Sequence, residues 1–262
     1  MSSSKNFIKK PQGAFYHIGG TFTKMDSSIS MGTFFGVGVG PGDPELLTVK
    51  AINALKISTV IIAPKTEKKE TSVALSIARP YLNSGVKIVY QTFPMVPDFE
   101  ESHKIFVQNK DEILNFLQTG ENVAFLTLGD PMFYSTYIYV FRLLKNSNVK
   151  IETIPGIPAF LAISSYIGKP LSFGDDILTV IPATATRSKI INALKFSDTT
   201  VLMKVYKNFD KIIDMLKENR FSDEAVLVSR CGLDDEKIIY NLEEYKSEKL
   251  NYLSTILTQR KK

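Results

Sequence analysis

A chain of 262 residues has room for one large or two ordinary domains. Hydrophobic residues at 44% and charged residues at 23% exclude wholesale disorder. One cysteine, Cys231, and two histidines, His17 and His103, leave no material for an internal disulfide, a cysteine-rich metal site or a histidine-based zinc site.

The +5 formal charge is uneven: residues 1–30 hold four lysines against one aspartate, so the rest carries +2. That remainder is scattered instead of gathered into the basic stripe expected of a nucleic-acid binder. No run approaches the roughly 18 apolar residues that cross a bilayer. Neither nucleic acid nor a membrane is therefore expected as a partner.

Residues 1–30 are rich in Ser, Gly, Lys and Thr, show no sustained period and lack the apolar stretch of a secretory signal. They read as a leader or tag, with the folded part starting near Met31. Thr33–Val39 is an opening strand. Further strand candidates are Val60–Ile62, Val86–Tyr90, Val123–Leu126 and Val149–Ile151. Between them, Leu47, Ala51, Ala54 and Leu55 share one helix face, and Phe133, Tyr137, Val140, Phe141 and Leu144 share another. This alternation predicts an α/β sheet covered on both faces.

A break at Ile167-Gly168-Lys169-Pro170 precedes a half richer in strands, at 177–181, 201–205, 225–228, 237–240 and 252–257, with one helix marked by Phe209, Ile212, Ile213 and Leu216. The expected organisation is two α/β domains, 31–167 and 168–262.

Three loops stiffened by glycine and proline follow three of the early strands. Gly36–Glu45 resembles a dinucleotide fingerprint only loosely, because its glycine spacing is broken and position 41 is proline. Asp43-Pro44-Glu45 reads as a helix start with an aspartate cap, and an acidic cap repels pyrophosphate. Four glycines in seven residues remain to be explained, and they predict close backbone approach by a ligand or another segment. Gly129-Asp130-Pro131 repeats the strand-to-helix logic, and Ile154-Pro155-Gly156-Ile157 supplies the third loop. Loops leaving one edge of an open sheet can wall a ligand cleft.

In order and spacing, Pro41-Gly42-Asp43 with Leu46–Ala51, then Gly129-Asp130-Pro131, then Ile154-Pro155-Gly156-Ile157, resemble the tetrapyrrole methylases, the class III S-adenosylmethionine methyltransferases. The resemblance spans residues 33–258. Thr127–Tyr137 and Arg230-Cys231-Gly232 look most like the branch that methylates C20 of precorrin-2 or cobalt-factor II on the route to cobalamin.

The resemblance implies S-adenosylmethionine as cofactor, folded between the domains, together with a tetrapyrrole substrate, a homodimer and a cytoplasmic location. Carried over, the cofactor contacts fall at Pro41, Leu128, Gly129, Asp130, Phe133, Pro158, Ala159, Met203, Tyr206, Gly232 and Thr255. Pro158-Ala159 departs from the Ser or Thr of many relatives. Such a pocket holds no phosphate, so tight loops of backbone amides and carbonyls can serve where a phosphate-binding lysine would otherwise stand.

The implied substrate bears acetate and propionate carboxylates, which suit Arg and Lys. Lys65, Lys169, Arg187 and Arg230 are the substrate candidates, with Arg79 and Lys204 as further cations at strand ends or joining loops. Methyl transfer needs no metal. A proton must later leave C20, and Tyr134, Asp43 and Asp130 are the base candidates. Competing readings are a sibling methyltransferase acting at another ring carbon, on the diphthamide precursor or on ribosomal RNA. A catalytically silent tetrapyrrole-binding module and a nucleotide-dependent dehydrogenase complete the set, the last disfavoured by the glycine spacing.

Overall fold

The computed structural model describes residues 30–65, 71–94 and 99–261, with backbone alone at 99–102. The expected leader, apart from Ser30, lies outside the described residues.

β1 (Thr33–Gly38) has side chains buried on both of its faces. Phe34 points into one core, while Phe35 and Val37 enter another. That is why it reads as a continuous apolar run with no alternation. It joins β2 (Val60–Lys65), β3 (Lys87–Thr92), β4 (Val123–Thr127) and β5 (Lys150–Ile154) in an all-parallel sheet of order β3-β2-β4-β1-β5. Helices α1 (Val49–Ile57) and α2 (Val73–Ala78) cover one face through Ala51, Ala54, Leu55 and Leu75. Helices α3 (Phe99–Gln118) and α4 (Tyr137–Leu144) cover the other through Ile113, Leu117, Tyr137 and Val140. Each fully buried Leu, Ile or Val among these contributes about 1.5–3 kcal/mol.

The strand order decides where the loops go. β1 lies between β4 and β5, so the segments following these three strands leave the carboxyl edge side by side. The connection leaving β1 runs toward β2 and the one leaving β4 runs the opposite way to β5. The crevice between β1 and β4 is therefore the kind of switch point where open parallel sheets bind ligands.

The second sheet is mixed. β6 (Leu178–Pro182), β7 (Thr199–Met203), β8 (Val226–Ser229), β9 (Lys237–Ile239) and β10 (Ser254–Gln259) take the order β6-β7-β10-β8-β9. β10 runs antiparallel to both β7 and β8, so β6, β7 and β8 share one direction. Helices α6 (Arg187–Lys195) and α7 (Phe209–Glu218) pack on one face. Helix α5 (Ala159–Tyr166) precedes the predicted break at 167, yet its Phe160 and Ile163 pack on the other face, against Val201, Val226, Val228 and Leu257.

Local boundaries differ from the sequence reading in instructive ways. Asp43 does cap a turn, but a 3-10 turn at Pro44–Leu46; α1 has its own cap in Thr48, whose hydroxyl accepts from Ala51 N at 3.1 Å. Gly129-Asp130-Pro131 does not enter a helix directly, since α4 starts only at Tyr137, where Ser135 Oγ accepts the Tyr137 amide. Phe133 therefore leaves the predicted helix face and joins the α5 cluster. β7 ends two residues early because Lys204 adopts a left-handed backbone.

Candidate active site

The three loops meet through their backbones. Gly40 and Gly129 form an antiparallel bridge, Gly129 N donating to Gly40 O at 2.8 Å. A Cβ on Gly38 would lie 2.5 Å from Gly156 N, and one on Gly156 would overlap the Gly129 carbonyl oxygen. The three strand-end glycines thus touch one another, and a side chain at Gly38 or Gly156 would push the loops apart. This accounts for the glycine density of the first loop: the close approach is by other segments of the same chain.

Asp130 locks two of these loops together. Its Oδ1 accepts from Met132 N at 2.8 Å within its own turn, and its Oδ2 accepts from Gly156 N at 3.1 Å in the third loop. A carboxylate holding two amides in this way is a brace between the loops. Asp43 is similarly engaged, accepting from Glu45 N at 2.8 Å.

The same edge meets the second half at a seam. A Cβ on Gly42 would overlap the Cys231 carbonyl oxygen, and one on Gly232, which has φ +73°, would stand 2.7 Å from Asp43 N. Gly232 N is held by Glu236 Oε2 at 2.7 Å. Burial, helped by the Glu236 carboxylate, pushes the Cys231 thiol up to about 12.

Phe133, Ala159 and Met203 rim one apolar cluster with Phe160, drawing the second loop, the start of α5 and the end of β7 together. Thr255 sits beside Met203 in the β10–β7 register. Pro158 caps α5 with its Cα 3.7 Å from where a Gly129 side chain would begin. Pro41 is buried, and Leu128 packs toward α1 and α2. Tyr206 is placed apart from these: it stacks edge-on with Tyr252 and packs on the α6–α7 core.

The cations scatter. Lys65 ends β2 at the loop-bearing edge, with Nζ 5.9 Å from the Tyr90 ring centroid. Arg230 leaves β8 with φ +58° and pairs with Asp235, beside a hollow of about 280 Å³ that Ser229, Lys237 and Asn251 also line. Arg187 is exposed and paired with Glu218 at 2.8 Å. Lys169 pairs with Glu224 at 2.9 Å, just ahead of β8 and so at the opposite end of that sheet from Met203 and Arg230. The sequence reading therefore grouped cations that the fold separates.

Sequence reasoning also missed a contact across the seam, where Lys204 Nζ lies 5.4 Å from the Tyr134 ring centroid. Neither residue carried a pattern that would have paired them. Among the described residues, no cluster of three His, Cys, Asp or Glu could hold a metal ion. None of their helices is long and apolar enough to cross a membrane.

The family model for Tetrapyrrole (Corrin/Porphyrin) Methylases matches residues 33–245. The chain belongs to the tetrapyrrole methylases. Over 228 residues it is 36% identical to a probable cobalt-precorrin-2 C(20)-methyltransferase of Methanocaldococcus jannaschii, covering 86% of this chain and 95% of that protein. It is 31% identical over 242 residues to the precorrin-2 C(20)-methyltransferase of a Sinorhizobium species, covering 88% and 96%.

Among solved structures, the uroporphyrin-III C-methyltransferase of Thermus thermophilus, complexed with S-adenosylhomocysteine, superposes with a TM-score of 0.61 at 22% identity, covering 86% of this chain and 96% of that one. That likeness establishes this tetrapyrrole methylase's fold as α/β with one parallel and one mixed sheet.

The residues present fit a sulfonium cofactor. Side-chain-free loops present backbone groups, and the half-buried Phe133, Ala159 and Met203 offer an apolar wall. Thr127, the last residue of β4, keeps a buried hydroxyl with no partner. Nothing in this arrangement resembles a phosphate cradle.

Proposed function

We propose that this protein methylates C20 of precorrin-2, or of its cobalt-bearing form, in cobalamin biosynthesis. Identity of 31–36% along most of the chain with C20-methyltransferases carries the reading. S-adenosylmethionine would be the donor, supplying an electrophilic sulfonium methyl to a nucleophilic meso carbon in line and leaving as S-adenosylhomocysteine with the electrons of the broken sulfur–methyl bond.

The chain's own contribution is positioning. Oriented reacting pairs gain on the order of 7–11 kcal/mol of barrier. The braced loops are suited to hold the donor: Gly129 and Asp130 by backbone, with Phe133, Ala159 and Met203 as the apolar wall. Pro41, Leu128, Pro158, Tyr206, Gly232 and Thr255 complete the proposed cofactor set, Tyr206 being packed on the α6–α7 core and not on the apolar wall. Arg230 and Lys65, on the loop-bearing edges, are better placed for substrate carboxylates than Lys169 at the opposite end of the second sheet, while Arg187, at the start of α6, is exposed and paired with Glu218. Of the base candidates, Tyr134 is exposed on the seam, whereas Asp43 is already spent on an amide. We take residues 31–167 and 168–262 as the two walls, and the working unit as a cytoplasmic homodimer.

The test is direct. Purified protein with precorrin-2 and S-adenosylmethionine should yield a product one methyl heavier, the new methyl located at C20 by NMR. A product methylated elsewhere would overturn the regiochemistry. Calorimetry should show S-adenosylhomocysteine binding that Asp130→Ala weakens about tenfold, the usual consequence of orphaning amides that a carboxylate held. Unchanged affinity would remove Asp130 from the cofactor site.

A further inference from the structure

Lys204 and Tyr134 face each other across the seam, one from each half of the molecule. Lys204 follows β7 with φ 60° and ψ 38°, and Tyr134, in the β4–α4 loop, has φ 50°. Both are therefore non-glycine residues in the left-handed region, a conformation side chains resist. The residue before each, Met203 and Phe133, lies in the apolar cluster shared by the two halves. The left-handed turns thus aim one cation and one aromatic ring toward the same place, next to the proposed cofactor wall.

The cation is short of an anion. Among the described residues, Lys50, Lys110, Lys169, Lys217, Lys246 and Lys261 each reach a carboxylate. Lys204 forms no such pair, although it is half-buried and burial lowers its pKa. Its visible partner is the Tyr134 ring, 5.4 Å away. A ring face attracts an ammonium, but less strongly than a carboxylate does at contact. A partly desolvated ammonium beside an open seam is disposed to take an anion from outside.

We infer that Lys204 is a receptor for a carboxylate arm of the substrate, and that Tyr134 holds its ammonium in readiness. On entry of the macrocycle, the ammonium exchanges the ring for an acetate or propionate group. The exposed Tyr134 ring is then free to lie against the macrocycle. This rests on the tetrapyrrole reading above and adds a subsite to it. The interaction is non-covalent and consumes no proton.

Uroporphyrin, a stable macrocycle with acetate and propionate arms, is the binding probe. Its fluorescence is titrated with full-length protein saturated with S-adenosylhomocysteine, comparing wild type, Lys204→Met and Lys204→Arg. The expected result is about tenfold or greater loss of porphyrin affinity in K204M, the usual scale for a lost charge-assisted contact. K204R should recover most of the loss. S-adenosylhomocysteine affinity should stay within about twofold throughout, and added salt should weaken wild-type porphyrin binding more steeply than that of K204M.

Equal porphyrin affinity in wild type and K204M, whether tight or absent, overturns the proposal. Parallel loss of S-adenosylhomocysteine affinity and thermal stability in K204M also overturns it, by assigning Lys204 to bracing the halves. Wild-type protein that binds porphyrin in a Lys204-dependent way but leaves precorrin-2 unmethylated supports the subsite while refuting the C20 activity, so the two failures are distinguishable.

Discussion

The two halves build their sides of the seam by different means. The parallel sheet brings its loops together by removing side chains, at Gly38 and Gly156, and ties them with one carboxylate, Asp130. The mixed sheet instead turns its strand ends with non-glycine residues in the left-handed region, Lys204 after β7 and Arg230 after β8. Each such residue costs about 1–3 kcal/mol unless its surroundings compensate. Glycine gives contact without chemistry, whereas a strained Lys or Arg places a charged group at a chosen point. On this contrast we propose that the glycine-braced loops of the first half seat the donor together with Met203 of the second, while Lys204 and Arg230 read the acceptor.

The seam itself offers the largest effect. Cys231 is the chain's single cysteine, and its backbone carbonyl lies against Gly42. Burial and the nearby Glu236 carboxylate raise the thiol to about 12. Burial and a raised pKa both keep this thiol from reacting as a thiolate. A disulfide reagent should modify the folded protein far more slowly than the chain in urea, with bound S-adenosylhomocysteine slowing it further. Equal rates in the folded and unfolded chain would mean that the two halves do not close on each other as described.

Next comes the glycine contact. Gly156→Ala inserts a methyl group into the Gly129 carbonyl, a backbone atom that cannot swing aside. Overpacking of this kind costs about 1–3 kcal/mol, and cofactor affinity should fall with it. Gly85→Ala is the control: Gly85 also has a positive φ, +82°, but nothing lies within 4 Å of its added Cβ. It should lose only the left-handed penalty, about 1 kcal/mol, with cofactor binding intact. Urea midpoints and calorimetry together separate the two. Equally mild variants would mean that the loops are not in contact.

This contrast also explains what was legible in the sequence. The parallel strands announced themselves as apolar runs, and the three Gly/Pro loops marked one sheet edge, because backbone contact requires glycine wherever it occurs. Periodicity singled out α1, α4 and α7, but not α6, whose buried stripe is only Ile190 and Leu194. The start of α4 was misplaced because Phe133 fits a helical spacing from Tyr137 while packing on α5 instead. The pairing of Lys204 with Tyr134 was illegible, since the two are distant in sequence and a left-handed lysine leaves no compositional trace. Among cations, spacing cannot tell the carboxyl edge of a mixed sheet from the other end. Lys169 and Arg230 looked alike for that reason.

The smallest expected effect sharpens this last point. Lys169→Ala and Arg187→Ala each break an ion pair with a largely exposed glutamate, Glu224 or Glu218. The exposed Arg187–Glu218 pair contributes about 0–1 kcal/mol, so Arg187→Ala should stay close to wild type in urea midpoint. Lys169→Ala should lower it more, because Lys169 is mostly buried and also donates to the Glu224 carbonyl. Both variants should keep a near-wild-type KM for the tetrapyrrole. Arg230→Ala removes a cation from the carboxyl edge of β8 and should raise that KM while leaving S-adenosylhomocysteine affinity unchanged. If Lys169→Ala raised KM as much as Arg230→Ala, substrate would have to reach both ends of the second sheet. Four-residue β8 spans only about 13 Å at the usual rise per residue. A macrocycle with extended arms can bridge such a distance only by lying along the strands, away from the loop-bearing edge. Confinement of the KM effect to Arg230 would therefore show that acceptor and donor meet at one edge.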